Sequence, residues 1–201
     1  MTCIVGVEYN NEVFLCGDRA ASTIDVITVN RAPKVYKKFT KKKRTPVIIG
    51  WAGGFLFGNV LQYKYIPPDI KPGMTPDEYV YHALIKDLRK CMTDNHYQPA
   101  DDPGYTMIGV NGRLFTLQED FSMLHNEIGY GAIGSGALIA MGAMHVMWNG
   151  GDIDPKSFLI RAAEASAAFS TTVRGPFDFV STEIEVDSTK TEDGGNSDGD
   201  Q

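Results

Sequence analysis

A chain of 201 residues, 43% hydrophobic and 22% charged, fits one domain able to bury its own core. Its formal net charge of -6 argues against a general nucleic-acid binder, because phosphate recognition needs concentrated cationic charge. Cys3, Cys16 and Cys91 lie far apart and suggest neither a disulfide framework nor a zinc site, and no segment reads as a secretory signal or a membrane span, so the expected location is cytoplasmic, with no membrane partner.

Residues 2–9 alternate in polarity and are rich in β-branched types, which predicts a strand. Asn10-Asn11 suits a tight turn, since asparagine tolerates positive φ, and residues 13–16 read as the returning strand. Any register of this hairpin brings Gly17-Asp18 beside Thr2 and Cys3. Residues 19–33 are mixed in character, with a short strand expected at 26–29, and Lys34-Val35-Tyr36 continues in extended style. Lys37, Lys38, Lys41, Lys42, Lys43 and Arg44 form a basic cluster, expected to be a solvated loop, with an anionic partner as the competing use.

Residues 47–52 form a short apolar run that predicts a buried strand, ending at Gly53-Gly54, where a helix can begin and run to about Tyr65. Thr75-Pro76-Asp77-Glu78 is a helix start: threonine as N-cap, proline in the first turn, acids facing the positive end of the helix dipole. That helix should reach residues 92–95 and place Val80, Ala83, Leu84, Leu88 and Cys91 on one face. Residues 97–104 read as loop. Asn111-Gly112 between residues 106–110 and 113–117 is a hairpin signal. Extended chain follows over 123–133. Residues 137–147 are apolar on nearly all faces, which predicts a helix buried on both sides. After a break at Asn149-Gly150-Gly151, Asp154-Pro155 restarts a helix to about Thr171, and residues 177–184 look like a last strand. From Asp187 the composition predicts a disordered acidic tail, so that the domain spans 2–185 and the tail 186–201. Strands and helices come in blocks rather than alternating singly, which suits antiparallel sheets with helices segregated outside them, an α+β arrangement.

Several residues have chemical uses. If Met1 is removed, Thr2 becomes the N-terminus and carries its own base, an α-amine of unperturbed pKa about 8 beside its hydroxyl. A threonine at position two carries little weight alone. Asp18 at a strand end beside Thr2 can orient a cation or the nucleophile, and is equally a turn residue after Gly17. Lys34, if near Thr2, would lower the hydroxyl pKa, with Asp18 holding it charged; by spacing alone it is one surface lysine among many. The backbone N–H groups of Gly53-Gly54 can face an anion or simply make a tight turn. Ser135, in Gly134-Ser135-Gly136, can support an N-terminal amine or cap the helix that follows. His82, His96, His125 and His145 lack metal-ligand spacing, Met141, Met144 and Met147 read as packing within the domain or between subunits, and the glycine-containing segments are not phosphate loops.

Five segments in order, Thr2-Cys3-Ile4-Val5-Gly6-Val7, Cys16-Gly17-Asp18-Arg19-Ala20, Pro33-Lys34-Val35, Ile49-Gly50-Trp51-Ala52-Gly53-Gly54 and Ala132-Ile133-Gly134-Ser135-Gly136, resemble successive motifs of proteasome β-subunit-type N-terminal-nucleophile (Ntn) hydrolases, closest to the proteasome-like peptidases of bacteria and phages. The resemblance implies a four-layer αββα sandwich with two antiparallel sheets. It implies Thr2 as nucleophile, its freed amine as base, Asp18 and Lys34 as the activating pair, the Gly53 N–H as oxyanion donor and Ser135 as support for the amine. The reaction would be amide hydrolysis through an acyl-enzyme ester, with no metal or organic cofactor. The partners would be a peptide or amide substrate and further copies of the chain, in a ring or another homo-oligomer, with or without an ATPase.

The sequence departs from the family pattern in three ways. Only Met1 precedes Thr2, so maturation would rest on its removal. The aspartate that many β-type subunits carry on the late helix is absent near Ala168-Phe169-Ser170, and Asp178 comes several residues too late to stand in. Phe55-Leu56-Phe57 replaces the usual Ala-Ala-Asp, which would alter the substrate pocket or a subunit contact. The competing reading is a catalytically inactive structural or assembly subunit, and a third is an amidase acting on small molecules.

Overall fold

The computed structural model describes residues 2–22, 26–100, 103–148 and 152–184. Strands β1 (Ile4–Tyr9) and β2 (Glu12–Asp18) form the expected hairpin, closed by Asn10 and Asn11 at φ 49° and 62°. β10 (Tyr130–Ile133) joins β1 on one side and β11 (Phe177–Ser181) joins β2 on the other, giving a four-stranded sheet. A second sheet runs in chain order through β5 (Val35–Phe39), β6 (Pro46–Gly53), β7 (Gly104–Val110), β8 (Arg113–Leu117) and β9 (Met123–His125). Every pairing in both sheets is antiparallel. The β7–β8 turn is Asn111-Gly112, both residues at positive φ, as their sequence predicts. The irregular stretch after Asp18 holds an unforeseen strand, β3 (Ala20–Ser22), paired with β4 (Ile27–Val29).

Two helical groups cover the sheets. On the five-stranded sheet lie α1 (Phe55–Tyr63) and a run made of α2 (Pro76–Glu78), a π-helical turn (Tyr79–Leu84) and α3 (Ile85–Asp94). The predicted start is present in full: Thr75 Oγ1 accepts from the Glu78 N–H, and the Glu78 carboxylate accepts from the Thr75 N–H. On the four-stranded sheet lie α4 (Ala137–Met147) and α5 (Pro155–Phe169), the latter capped by Asp154 as its Asp-Pro start predicts.

Three apolar clusters correspond to the three interfaces of an αββα sandwich. Ile4, Leu15, Val35, Ile48 and Met107 pack between the sheets. Val5, Val7 and Cys16 face α4 and α5. Ile49, Trp51 and Phe115 face α1 and the helical run. Successive residues of one strand thus enter different clusters: Ile48 points between the sheets while Val47 and Ile49 point to the helices. Burial of both faces explains why β6 reads as an almost unbroken apolar run.

Two expectations need correction. α4 is covered on one side only: Ala140 and Met144 are buried, but Leu138 is 88% and Val146 85% exposed. Apolarity around a helix states what its surface is made of, not whether this chain supplies both covers. The basic cluster is the expected exposed turn over residues 41–44, but its first two lysines are not loop residues. Lys37 and Lys38 lie in β5, and their ammonium groups bond the carbonyls of Glu183 and Tyr65. The Lys42 and Lys43 N–H groups both donate to Asp69, and Arg44 sits over the Phe39 ring. The break at Gly150-Gly151 and the acidic tail lie outside the described residues. Among the described residues, no helix is long and apolar enough to cross a membrane.

Candidate active site

The first hairpin positions the centre of the site. Its register sets Ile4 opposite Gly17, so the chain before Ile4 runs alongside Asp18. The Asp18 N–H donates to the Cys3 carbonyl at 3.2 Å, and the Cys3 N–H returns a 3.0 Å bond to Asp18 Oδ1. Asp18 Oδ2 accepts from the Ala20 N–H at 3.1 Å and more distantly from the Arg174 N–H at 3.5 Å. The carboxylate is fully buried, and these donors replace the water it has lost.

Lys34 enters from the other sheet, one residue before β5. Its backbone carbonyl accepts from the Trp51 N–H, which ties it to β6. Nζ donates to Thr2 Oγ1 at 2.6 Å, to Asp18 Oδ1 at 3.1 Å and to the Ala20 carbonyl at 2.5 Å. An ammonium group carries three donors, and these oxygens engage them. Burial pushes the Lys34 pKa below that of an ordinary lysine, while the Asp18 charge and hydrogen bond oppose the fall. Lys34 is 1% exposed, so its charge is balanced by these protein groups and not by water.

Ser135 approaches Thr2 from β10. Its Oγ accepts from the Thr2 backbone nitrogen at 3.1 Å and lies 3.4 Å from the Thr2 carbonyl oxygen, which also accepts from the Gly136 N–H at 3.1 Å. Gly134 sits at φ +93°, and a Cβ there would lie 2.3 Å from the Thr2 carbonyl oxygen. This close approach accounts for the glycine at this position. Ser135 does not cap α4, whose N-cap is Gly136 without a side-chain bond.

Gly53 ends β6 at φ +111°, with Pro103 O where a Cβ would fall. The neighbouring Gly54 N–H is taken by Pro103 O at 3.1 Å. Gly53 lines the same cavity of about 540 Å³ as Thr2 and Ser135. All five residues singled out from the sequence therefore gather at one end of the sandwich.

Sequence reasoning missed a chain of hydroxyls behind Ser135. Ser135 Oγ lies 2.8 Å from Thr172 Oγ1, which lies 2.9 Å from Ser170 Oγ. The Ser170-Thr171-Thr172 run just past α5 was the available signal. Among the described residues, the side chain that Ser135 meets is thus a hydroxyl and not a carboxylate. Asp178 is occupied elsewhere: it binds the Arg19 guanidinium through both oxygens, at 2.5 and 2.6 Å. Cys3 is fully buried and its thiol is pushed up to about 11 by burial, so it is a protonated packing residue at neutral pH. Of the Phe55-Leu56-Phe57 run, Phe57 is buried against Tyr97, while Phe55 and Leu56 are exposed, and none of the three lines the Thr2 cavity.

No family model and no curated protein matches this sequence. Solved structures do match. A Thiobacillus denitrificans protein, BPH, solved in complex with epoxomicin, superposes with a TM-score of 0.73 at 14% identity, covering 90% of this chain and 97% of that one. HslV from Trypanosoma brucei gives 0.62 at 17% identity, over 90% and 98% of the two chains. Anbu (ancestral beta-subunit) from Yersinia bercovieri gives 0.65 at 14% identity, over 90% and 81%. The layers, the sheets and these likenesses agree: the fold is that of the proteasome-type Ntn hydrolases.

Proposed function

We propose that this chain, with its proteasome-type Ntn-hydrolase fold, is a threonine peptidase or amidase whose nucleophile is Thr2 once Met1 has been removed. The observation that carries the reading is the 2.6 Å bond from Lys34 Nζ to Thr2 Oγ1 inside a buried Lys34–Asp18 ion pair. A buried ammonium bonded to a hydroxyl stabilises the alkoxide form and lowers the cost of removing its proton. The freed Thr2 amine, supported by Ser135, accepts that proton, and Oγ1 attacks the amide carbonyl. The Gly53 N–H takes up the negative charge on the carbonyl oxygen. The amine then passes the proton to the leaving nitrogen, and water opens the ester. Asp18 keeps Lys34 charged throughout.

Copies of the chain assemble into a homo-oligomer in this reading. Support comes from the uncovered apolar face of α4, where Leu138 and Val146 stand exposed with Phe169 at the end of α5.

A second reading, an inactive structural subunit of the same fold, draws on the hydroxyl partners of Ser135, which supply no negative charge to hold a protonated amine. The deciding experiment is the intact mass after exposure to an electrophile selective for N-terminal threonine; epoxomicin, held by the Thiobacillus protein, is one probe. Loss of Met1 with one adduct per chain, absent in Thr2→Ala, is expected. Retained Met1, or a free Thr2 that never reacts, sinks the peptidase reading in favour of the structural one.

A further inference from the structure

The cavity beside Thr2 exists because the two sheets part at one edge. The four-stranded sheet ends at β10, whereas the facing sheet continues to β8 and β9. Gly129 and Gly131 on the β10 side add no side chain to fill the gap. Its volume of about 540 Å³ falls within the ~300–1,000 Å³ range of small-ligand pockets. Leu114, Leu124, Ile133, Tyr105, Tyr130 and Met141 provide apolar walls, and none of the lining side chains carries a formal charge.

The cavity also has a side. Ser135 and Gly134 line it, whereas Asp18, Ala20 and Lys34 do not. It therefore opens on the amine side of Thr2, where the backbone nitrogen meets Ser135 Oγ at 3.1 Å. In the reaction proposed above, the Thr2 hydroxyl proton moves to this amine as the new C–O bond forms. It then moves to the leaving nitrogen as the C–N bond breaks. The water that opens the ester returns a proton to Thr2 Oγ1. Proton transfer requires the leaving nitrogen within about 2.6–3.2 Å of the amine. The leaving portion of the substrate must then sit on the Ser135 side.

We infer that this cavity holds the residue immediately following the scissile bond and selects a large apolar side chain there. The inference rests on the peptidase reading, and two measurements separate their fates. The first compares peptides with a constant acyl portion that differ only in the residue after the scissile bond. Phe or Leu is expected to exceed Asp or Lys at least 10-fold in kcat/KM. Leu124→Lys, at a half-exposed wall position, is expected to erase that margin against Asp. Equal rates for all four residues overturn the inference and leave the peptidase reading standing.

The second measurement needs no turnover. Phenylalaninamide, which mimics the released product, is titrated into Thr2→Ala protein prepared with residue 2 first, while the methyl signals of Leu114, Leu124 and Met141 are followed by NMR. Saturable shifts with phenylalaninamide, and none with aspartic acid diamide at the same concentration, are expected. Such shifts in a chain that never hydrolyses a peptide would retain the cavity's apolar specificity and discard the enzyme. Unmoved methyls overturn the inference whatever the activity.

Discussion

Lys34 Nζ and Thr2 Oγ1 are joined by a 2.6 Å hydrogen bond across 32 positions of chain, and each residue is 1% exposed. Thr2 leads into β1, an inner strand of one sheet, and Lys34 into β5, the edge strand of the other, so the contact forms only when the sandwich closes.

Lys34→Ala should cost both activity and stability. Loss of an electrostatic group at the reacting oxygen is expected to lower kcat by about 10²–10³-fold. Asp18 would be left buried without its cation, at a cost of about 3 kcal/mol. Lys42→Ala, in an exposed turn whose backbone N–H makes the bond to Asp69, should change neither. Steady-state kinetics and urea denaturation of both variants check this, and equal losses would count against the assignment.

The pH dependence should run in opposite directions for rate and stability. Burial holds the Lys34 pKa below its ordinary 10.5. Between the folded value and 10.5 the unfolded chain binds more protons than the folded one, so stability from this group rises with pH. It is complete above 10.5 and lost as pH falls through the folded value. Hydrolysis should fall over the same alkaline window as the ammonium at Thr2 loses its charge. Denaturation midpoints and kcat measured across that window test the pair of slopes; rate and stability moving together would exclude Lys34 as the group responsible.

Gly134→Ala should damage the site directly. The backbone there sits at φ +93°, and the added methyl would meet the Thr2 carbonyl oxygen at 2.3 Å. Relief requires Thr2 or β10 to move, with a stability loss of about 1–3 kcal/mol. Gly142→Ala on α4 is the counterpart. A Cβ there has no neighbour within 4 Å, so the substitution should stabilise by about 0.5–1 kcal/mol. Thermal melts, with the rate of electrophile labelling at Thr2, distinguish the two. Normal labelling in Gly134→Ala would show that this close approach does not hold Thr2 in place.

Local order was legible in the sequence wherever the physics is local. Asn10-Asn11 and Asn111-Gly112 specify their turns through positive φ, Thr75-Pro76-Asp77-Glu78 carries its own capping box, and the β1–β2 hairpin brings Asp18 beside Thr2 in any register. The order of the motifs supplied the fold and the five candidate site residues by resemblance. Tertiary structure alone decided which atoms meet. Ser135 lies 133 positions from Thr2, and no periodicity encodes a separation of that length. The hydroxyls of Thr172 and Ser170 behind it, and the bond that draws Asp178 to Arg19, depend on where α5 ends and how β11 pairs with β2. The open face of α4 was hidden for the same reason: an apolar sequence determines the free energy gained by covering a surface, and only packing determines whether it is covered.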